Sequence, residues 1–456
     1  MLVRNPATDE TITDLEPTEP STLGATIATA RAAQSGWAAA RLDERIAVAT
    51  RFRDLVDERS EDLAHTLSLE TGKPITQARN ELAGTLPRLD FFIEAAPAAV
   101  ADEAVESGEA TGTAERITHE PLGVVGNISA WNYPWFVGTN VIVPALITGN
   151  AVLYKPSELA SLTGLAIAEL LAEAGVPTDV FTALIGGGDL GAHLVEEGPD
   201  GLFFTGSHRT GMRIAERYAG HLGVLQLELG GKDPAYVADD ADPATSAAAL
   251  ADGAFYNNGQ SCCSVERIYV HTSIHDAFVD AFVGAVDSMV MGDPLDDTTY
   301  LGPLTRPEQP DVLAGQAGEA VGAGAALLRG GKKLPGPGAW FEPTVLTGVD
   351  NEMAVMREES FGPIIGIHKV ADDDEAVALM DDTDFGLTAG VFTPSQERAE
   401  SLLAKLDVGS AYWNCCDRVS PTLPWSGRRH SGVGSTLSHS GIRSFTRPKA
   451  WHLRGS

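Results

Sequence analysis

Residues 151–186, AVLYKPSELASLTGLAIAELLAEAGVPTDVFTALIG, contain two short apolar segments with a longer periodic segment between them. AVLYK (151–155) and VFTALIG (180–186) are predicted strands, and SLTGLAIAELLAEAG (161–175) has its apolar residues at helical spacing. Strand, helix and strand in this order predict a βαβ unit, in which a helix joins two parallel strands.

The same alternation extends on both sides of this unit. Further predicted strands are GVVGNIS (123–129), GLFFTG (201–206) and VLQLEL (224–229). After a break at LGGKDP (229–234), a second alternating block runs from about residue 235 to residue 414. The predicted fold class is therefore α/β, with two doubly wound parallel-sheet lobes and a cleft between them. Ligands are expected at the carboxyl ends of the strands.

The region before the first lobe has a different pattern. Between residues 20 and 103, several stretches carry apolar residues at helical spacing, and Gly72 followed by Pro74 marks a helix end. The polar stretch TGTAERITHEP (111–121) follows this helical region and is interpreted as a protruding hairpin.

The chain is strongly acidic, with 63 Asp and Glu against 32 Lys and Arg and a formal net charge of −31. Such a charge repels nucleic acid and anionic membranes, so neither is expected as a partner. The acidic residues are dispersed and Arg is much commoner than Lys. We interpret this as adaptation to concentrated salt, where screening weakens self-repulsion; an acidic protein of an ordinary environment is the alternative.

The sequence also bears on the cellular compartment. The N-terminal stretch MLVRNPATDETITDLEP has no apolar run typical of a signal peptide, and the apolar stretches are too short and interrupted to cross a bilayer. The four cysteines form two adjacent pairs, 262/263 and 415/416, without metal-ligand spacing. We therefore expect a reducing, cytoplasmic location and no metal site.

A candidate nucleophile lies in FYNNGQSCCSVER (255–267), a predicted loop between a helical stretch and a strand that resumes at Val265. A free thiol on such a loop suits nucleophilic catalysis, because cysteine carries a few per cent thiolate at neutral pH. The alternative is that Cys262 and Cys263 are both small buried apolar residues, as free cysteines usually are. This segment alone does not decide between them.

Two further polar residues have two interpretations each. Glu228 lies between Leu227 and Leu229 near the end of the predicted strand VLQLEL, and is either on the solvated side of that strand or a general base whose pKa is raised by apolar surroundings. Asn132 follows a strand in AWNYP (130–134) and is either a turn residue or an amide donor to a developing oxyanion.

The phosphate-binding signals are mixed. The segment GGGDLG (186–191) contains a GxGxxG pattern, but at the third βα turn rather than the first, where a dinucleotide fingerprint belongs. FFTGSHRTG (203–211) is a better candidate, because a strand and a turn at Gly206 and Ser207 precede a helix whose amides suit an anion. Lys155 and Glu158 follow a strand end and either bridge ribose hydroxyls or are surface charges.

Taken in order, AWNYP, YKPSE, FTGSxxxG, LELGGK, GQSC, ESFGP and PWSGRRHSG resemble the motifs of the NAD(P)-dependent aldehyde dehydrogenase superfamily. The resemblance runs from about residue 3 to residue 454, and Glu228 precedes Cys262 by 34 residues, the family's interval between base and nucleophile. It implies oxidation of an aldehyde to a carboxylic acid, and the dispersed acidic charge favours a haloarchaeal-type member of the family. In that case Cys262 attacks the aldehyde, Asn132 and the backbone N–H of Cys262 hold the oxyanion, and Glu228 activates the hydrolytic water.

The resemblance also implies a cofactor-binding set: Trp131, Lys155, Glu158, Gly206, Ser207, Glu359 and Phe361. The carboxylate of Glu158 pairs with a ribose 2′-hydroxyl and repels a 2′-phosphate, so NAD is expected, although Lys155 would still tolerate NADP. Cys263, Cys415 and Cys416 would then be packing residues, and Arg267 follows the nucleophile by five residues.

The residues expected around the substrate are Phe136, Val137, Asn140, Tyr256, Ser261, Val419 and Trp425. The wall that they form is mostly apolar and carries no obvious cation. In the succinate semialdehyde branch of the family, two arginines hold the substrate carboxylate, and this chain has Asn140 and Tyr256 at the matching positions. We therefore expect an apolar aliphatic or aromatic aldehyde. A succinate semialdehyde or related semialdehyde dehydrogenase is the alternative, if Arg418 or Arg428 reaches the pocket.

Two other classes of protein compete with an aldehyde dehydrogenase that releases the free acid. A CoA-acylating semialdehyde dehydrogenase keeps the cysteine but generally lacks the base, so Glu228 argues against it. A non-catalytic binding or structural protein on the same fold would not need Cys262, Glu228 and Asn132 together.

The resemblance implies three parts: a dinucleotide-binding domain (1–103 and 122–230), a catalytic domain (231–436) and an oligomerisation arm (104–121 and 437–456). The arm would consist of a hairpin and the final strand FTRPKAWHLR, which add to the sheet edge of a neighbour. We therefore expect a homodimer or a homotetramer.

Overall fold

The N-terminal region forms helices, as its spacing predicts. In the computed structural model, which describes residues 1–105 and 113–454, Gly72 adopts a φ of 77° and ends the third helix in the left-handed conformation that favours glycine. The elements of this region are β1 (Leu2–Arg4), β2 (Thr11–Asp14), α1 (Leu23–Ala39), α2 (Leu42–Glu58), α3 (Ser60–Thr71), α4 (Ile75–Ala99) and β3 (Glu103–Val105).

The first α/β lobe contains the βαβ unit predicted at 151–186. Its elements, preceded by the arm strand β4, are β4 (Thr113–Pro121), β5 (Val124–Ile128), α5 (Pro134–Ile147), β6 (Ala151–Lys155), α6 (Ser161–Ala174), β7 (Phe181–Ala183), α7 (Gly188–Glu197), β8 (Gly201–Thr205), α8 (His208–Tyr218) and β9 (Val224–Glu228). The sheet order is β9-β8-β5-β6-β7, and all neighbours are parallel. Strand β7 is shorter than predicted because this edge strand pairs with β6 over only three residues.

The second lobe has the same architecture. Its elements, followed by the last elements of the chain, are β10 (Asp233–Val237), α9 (Pro243–Phe255), β11 (Val265–His271), α10 (His275–Asp287), α11 (Gln309–Gly322), β12 (Ala326–Arg329), β13 (Thr344–Thr347), α12 (Ala354–Arg357), β14 (Ile364–Val370), α13 (Asp373–Asp381), β15 (Phe385–Gly386), β16 (Thr388–Phe392), α14 (Gln396–Leu403), β17 (Ser410–Trp413), β18 (Arg428–Arg429), β19 (Gly432–Val433), α15 (Ser438–Arg443) and β20 (Thr446–Arg454). Its seven-stranded sheet has the order β12-β13-β14-β11-β10-β16-β17, and only β12 is antiparallel to its neighbour.

A separate three-stranded antiparallel sheet has the order β20-β4-β3. It joins the final strand to the stretch interpreted as a hairpin, whose central residues 106–112 lie outside the described part of the chain. Strand β19 pairs antiparallel with β9, so the chain returns to the first sheet before the predicted boundary at residue 436.

The predicted α/β architecture with two parallel-sheet lobes is confirmed. Strand β9 ends at Glu228 and β10 begins at Asp233, so the carboxyl end of the first sheet leads directly into the second lobe. None of the helices within residues 1–105 and 113–454 is both long enough and apolar enough to cross a membrane.

Candidate active site

The loop that carries Cys262 connects α9 to β11. Asn257, Asn258 and Gly259 have positive φ values of 51°, 56° and 68°, a left-handed run that turns the chain sharply before the cysteine. Asparagine tolerates this conformation and glycine favours it. A side chain at Gly259 would also collide with the backbone of Gly362, so only glycine fits there. The Asn257–Gly259 turn and this close contact together fix the loop that carries Cys262.

The two adjacent cysteines have different environments. Cys262 is half-buried and lines a cavity of about 270 Å³. Cys263 is buried, and its thiol donates a hydrogen bond of 2.9 Å to the Asp417 carboxylate. Its interaction with Cys262, burial and the charge of Asp417 all raise the pKa of Cys263. Cys263 is therefore held as a thiol, whereas Cys262 is accessible.

Asn132 lies in the turn between β5 and α5, and its backbone is fixed from two directions. Its carbonyl oxygen accepts hydrogen bonds from Lys73 Nζ (2.7 Å) and from Asn257 Nδ2 (3.1 Å). Its own side-chain amide donates to the carbonyl of Gln260 (3.1 Å), in the cysteine loop. Lys73, in the connection between α3 and α4, is buried and paired with Glu81 of α4, so a buried ion pair in the N-terminal region supports this turn.

Glu228 is the last residue of β9 and does not lie on a solvated face. The residue is 7% exposed, and its carboxyl group accepts hydrogen bonds from Gln226 Nε2 (3.0 Å) and the Thr436 hydroxyl. Burial raises its pKa to about 7. The carboxyl group is therefore able to exchange a proton near neutral pH.

The glycines of LELGGK allow two other segments to approach Glu228. A side chain at Gly230 would collide with the Glu359 carboxyl group, and a Cβ at Gly231 would lie 2.8 Å from the Cys262 carbonyl oxygen. The N–H of Gly231 donates to Glu359 (3.2 Å), and burial raises the pKa of Glu359 to about 8.

A buried ion pair that the sequence analysis missed positions the ESFGP segment. Lys232 and Glu266 lie 2.7 Å apart, and Glu266 accepts hydrogen bonds of 2.9 Å from the backbone N–H groups of Ser360 and Phe361. The Phe361 ring then contacts Trp131 edge to face, with centroids 5.6 Å apart. The available signal was Glu266 itself, one of the charged residues in the largely buried strand β11.

Two cavities meet at the turn after β5. The cavity beside Cys262 is lined by Trp131, Asn132, Gly206, Ser207, Glu228, Glu359 and Phe361, among others. The second, of about 520 Å³, is lined by Trp131, Lys155, Ser157, Glu158, Gly206, Thr210, Arg213 and Arg217, among others. The shared lining makes one elongated space with polar groups at both ends, which fits a dinucleotide. All seven predicted cofactor residues line it.

The segments predicted to bind phosphate and ribose border this space. Ser207 caps α8 by accepting a hydrogen bond from the N–H of Thr210 (3.4 Å). Lys155 is buried and lies 3.2 Å from Glu158, and burial lowers the pKa of Lys155. Residues Gly188 and Gly191 of the GxGxxG segment also line the second cavity, although their βα turn is not the first.

The predicted substrate residues lie around the same loop. Phe136 stacks on Tyr133 (5.6 Å), and the Tyr256 hydroxyl accepts a hydrogen bond from Asn80 (3.0 Å). Ser261 donates to Asp417 (3.3 Å). Cys262, Cys263, Val419 and Trp425 belong to one apolar cluster.

The sequence shows no obvious cation in this wall, but the structure places one beside it. The guanidinium of Arg88, on α4, lies 3.9 Å from the centre of the Phe136 ring and next to Asn140. Sequence reasoning considered Arg418 and Arg428 instead. Both are exposed, and Arg428 pairs with Asp407 at 3.1 Å.

All four cysteines are free, and Cys416 packs against α9, where burial raises its pKa to about 12. Within the part of the chain that the structure describes, no three His, Cys, Asp or Glu side chains are grouped to hold a metal ion.

Comparisons with known proteins agree along the whole chain. The model of the Aldehyde dehydrogenase family matches residues 1–451. The succinate-semialdehyde dehydrogenase [NADP(+)] of Deinococcus radiodurans is 36% identical, over 98% of this chain and 93% of that protein. A betaine aldehyde dehydrogenase of Cereibacter sphaeroides is also 36% identical, over 98% and 92%. The solved structure of an NAD-dependent aldehyde dehydrogenase from Sinorhizobium meliloti superimposes with a TM-score of 0.96, at 32% identity over 99% of this chain and 91% of that chain. The chain therefore belongs to the aldehyde dehydrogenase family.

Proposed function

We propose that the enzyme oxidises an aldehyde to the carboxylic acid with NAD, through a thioester on Cys262. The observation that carries this proposal is that Cys262, Glu228 and Asn132 line one cavity of about 270 Å³, together with Glu359 and Phe361. Membership of the family supports an oxidoreductase acting on aldehydes with NAD or NADP, and argues against a non-catalytic protein on this fold.

The chain's own residues would divide the reaction as follows. Cys262 Sγ attacks the carbonyl carbon, and the side-chain amide of Asn132 and the backbone N–H of Cys262 donate hydrogen bonds to the resulting oxyanion. When bound, the nicotinamide cofactor supplies the hydride acceptor. Glu228 then takes a proton from the water that hydrolyses the thioester, a role that suits a carboxylate with a pKa of about 7. Cys263 does not serve as the nucleophile, because its pKa is raised.

For the cofactor, we propose NAD in preference to NADP. Glu158 lines the cavity that would hold the adenosine ribose, and its carboxylate would repel the 2′-phosphate of NADP. Arg213 and Arg217 line the same cavity and would lessen that repulsion, so we expect NADP to be used at a reduced rate. The relative from Deinococcus radiodurans is named for NADP.

For the substrate, we propose an aldehyde whose carbon chain packs against the aromatic side chains of Phe136, Tyr256 and Trp425. An apolar aldehyde was expected from the sequence because the predicted substrate residues include no cation. The Arg88 guanidinium lies over the ring of Phe136, so the absence of a cation no longer argues against a charged substrate. Oxidation of a semialdehyde is therefore the second candidate. The name of the Deinococcus relative is consistent with it, and Arg88 favours it on this chain's own structure.

We also propose a homodimer or homotetramer, with 1–103 and 122–230 as the cofactor domain, 231–436 as the catalytic domain and 104–121 with 437–456 as the arm. The supporting observation is that β17 is an edge strand of the catalytic sheet with Trp413 exposed, a surface that another copy's arm would cover. Light scattering after size-exclusion chromatography would give the number of subunits; a monomer would contradict this.

The dispersed acidic charge supports a cytoplasmic enzyme of a salt-adapted, haloarchaeal type. We expect activity and thermal stability to rise with potassium chloride from dilute buffer towards molar concentrations. An optimum in dilute buffer would identify an acidic protein of an ordinary environment.

The reaction is tested by following the absorbance of the reduced cofactor in high salt, with NAD or NADP and a series of aldehydes. We expect NAD reduction without added CoA and release of the free acid. A requirement for CoA would support a CoA-acylating enzyme, and no reduction with any aldehyde, by protein that binds NAD, would overturn the proposal.

A further inference from the structure

Helix α4 carries a buried cation that the proposed reaction does not use. Glu81, Gly84 and Arg88 are spaced three to four residues apart, so they lie on one face of this helix, towards the start of α5. Glu81 accepts a hydrogen bond from the N–H of Trp135 (2.9 Å), and a Cβ at Gly84 would meet the Phe136 ring at 2.9 Å. One turn further on, the Arg88 guanidinium covers the face of that ring.

The guanidinium of Arg88 has few partners. The residue is 6% exposed, yet within residues 1–105 and 113–454 no carboxylate forms an ion pair with it. Its one side-chain hydrogen-bond partner there is Asn140, which accepts at 3.1 Å when its amide nitrogen faces the Phe136 carbonyl. A guanidinium has five N–H donors, and burying one without a counter-ion is costly. Most of its donors are therefore available to a ligand.

Arg88 remains a cation at the site. Burial lowers its pKa only to about 10, and the groups whose charges act on it are Cys263, Glu81, Glu228 and Cys262. It does not line either of the two cavities that fit the dinucleotide. Its position is thus close to the reacting thiol but away from the cofactor.

We propose that Arg88 binds a carboxylate at the end of the substrate remote from the aldehyde, so that the preferred substrates are aldehydes with one negative charge. This inference rests on the proposed function and names its substrate class. The planar fork of a guanidinium matches a carboxylate with two parallel hydrogen bonds. A single cation suits a monoanion, because the nearby Lys73 is already paired with Glu81 and would not neutralise a phosphate dianion.

The test compares two aldehydes of the same chain length, succinate semialdehyde and butanal, in the intact enzyme with NAD. We expect the wild type to prefer the semialdehyde in kcat/KM. In Arg88→Met this preference should fall by at least about 30-fold, the loss typical when one partner of a desolvated charge pair is removed, and chiefly through KM. Arg88→Lys keeps the positive charge but loses the planar guanidinium, so its preference for the semialdehyde should lie between those of the wild type and Arg88→Met. Arg79→Met, on the exposed side of the same helix, is the matched control and should keep the wild-type preference.

A purely structural role for Arg88 would lower both rates together and leave their ratio unchanged, which would overturn the inference. Equal kcat/KM of the wild type for the two aldehydes would also overturn the inference. This measurement needs no variant, so the inference can be tested even if Arg88→Met does not fold. Preference for glyceraldehyde 3-phosphate over succinate semialdehyde would contradict the assignment to a carboxylate. If neither aldehyde nor any other is oxidised, the proposed function fails instead.

Discussion

Replacing Glu228 by Gln separates the two halves of the proposed reaction. Gln keeps the size of the side chain and the hydrogen-bonding capacity towards Gln226 and Thr436, but it cannot take a proton from water. Loss of a general base typically costs about 10²–10⁴-fold, so we expect steady-state turnover to fall by that factor. Attack by Cys262 and reduction of NAD should still occur once.

The pKa of Glu228 sets how strongly the rate of thioester hydrolysis should depend on pH. With a pKa of about 7, roughly nine tenths of the Glu228 carboxyl is ionised at pH 8 and roughly one tenth at pH 6. The base acts when it is deprotonated, so hydrolysis of the thioester should fall about tenfold from pH 8 to pH 6 in the wild type. In Glu228→Gln this dependence on a group of pKa near 7 should disappear.

The assay is rapid mixing with NAD and aldehyde, read by the absorbance of the reduced cofactor. The variant should give a burst of about one reduced cofactor per active site, followed by slow turnover. Glu70→Gln is the matched control: Glu70 is also buried with its pKa raised to about 7, but it accepts hydrogen bonds from the start of α6 and does not line the cavity beside Cys262. Turnover by Glu228→Gln within about threefold of the wild type would refute the reasoning, because a general base contributes at least about 10²-fold.

Four further substitutions test the remaining assignments. Cys262→Ala should lower turnover by at least about 10⁴-fold while NAD binding, measured by calorimetry, persists; Cys263→Ala should remain active, and the opposite pattern would exchange the two thiols. Asn132→Ala should lower kcat by about 10²–10³-fold, as removal of an oxyanion donor does, and a change in KM alone would assign the amide to substrate binding. Glu158→Gln should raise the NADP-to-NAD ratio of kcat/KM about fivefold, the effect of one partly exposed charge, and an unchanged ratio would remove Glu158 from cofactor selection.

The parts of the site that sequence predicts are those encoded in short contiguous motifs. Strand and helix periodicity located β6, α6 and β9. The resemblance of the LELGGK and GQSC motifs to the family's motifs predicted Glu228 and Cys262, and in the structure the glycines and asparagines of these motifs lie where the backbone turns or where other segments approach closely. The length of β7 was not predicted, since an edge strand ends where its neighbour stops pairing, which depends on tertiary structure.

The groups that sequence reasoning missed come from distant segments. Lys73, Glu81 and Arg88 precede Cys262 by well over a hundred residues, and the packing of α4 against α5 brings them to the site. A signal was nevertheless present. Arg88 lies beside Leu89 and one turn before Phe92, so the helical period places a charge next to the apolar face of α4. Asp417 gave no such signal, because the loop after β17 has no regular period.

The most direct test of the central claim is mass spectrometry of Glu228→Gln quenched after mixing with NAD and aldehyde. We predict that the protein gains the mass of the acyl group and that fragmentation of the 233–267 peptide places this mass on Cys262. An acyl group on Cys263, or a reduced cofactor without any acylated enzyme, would contradict the account.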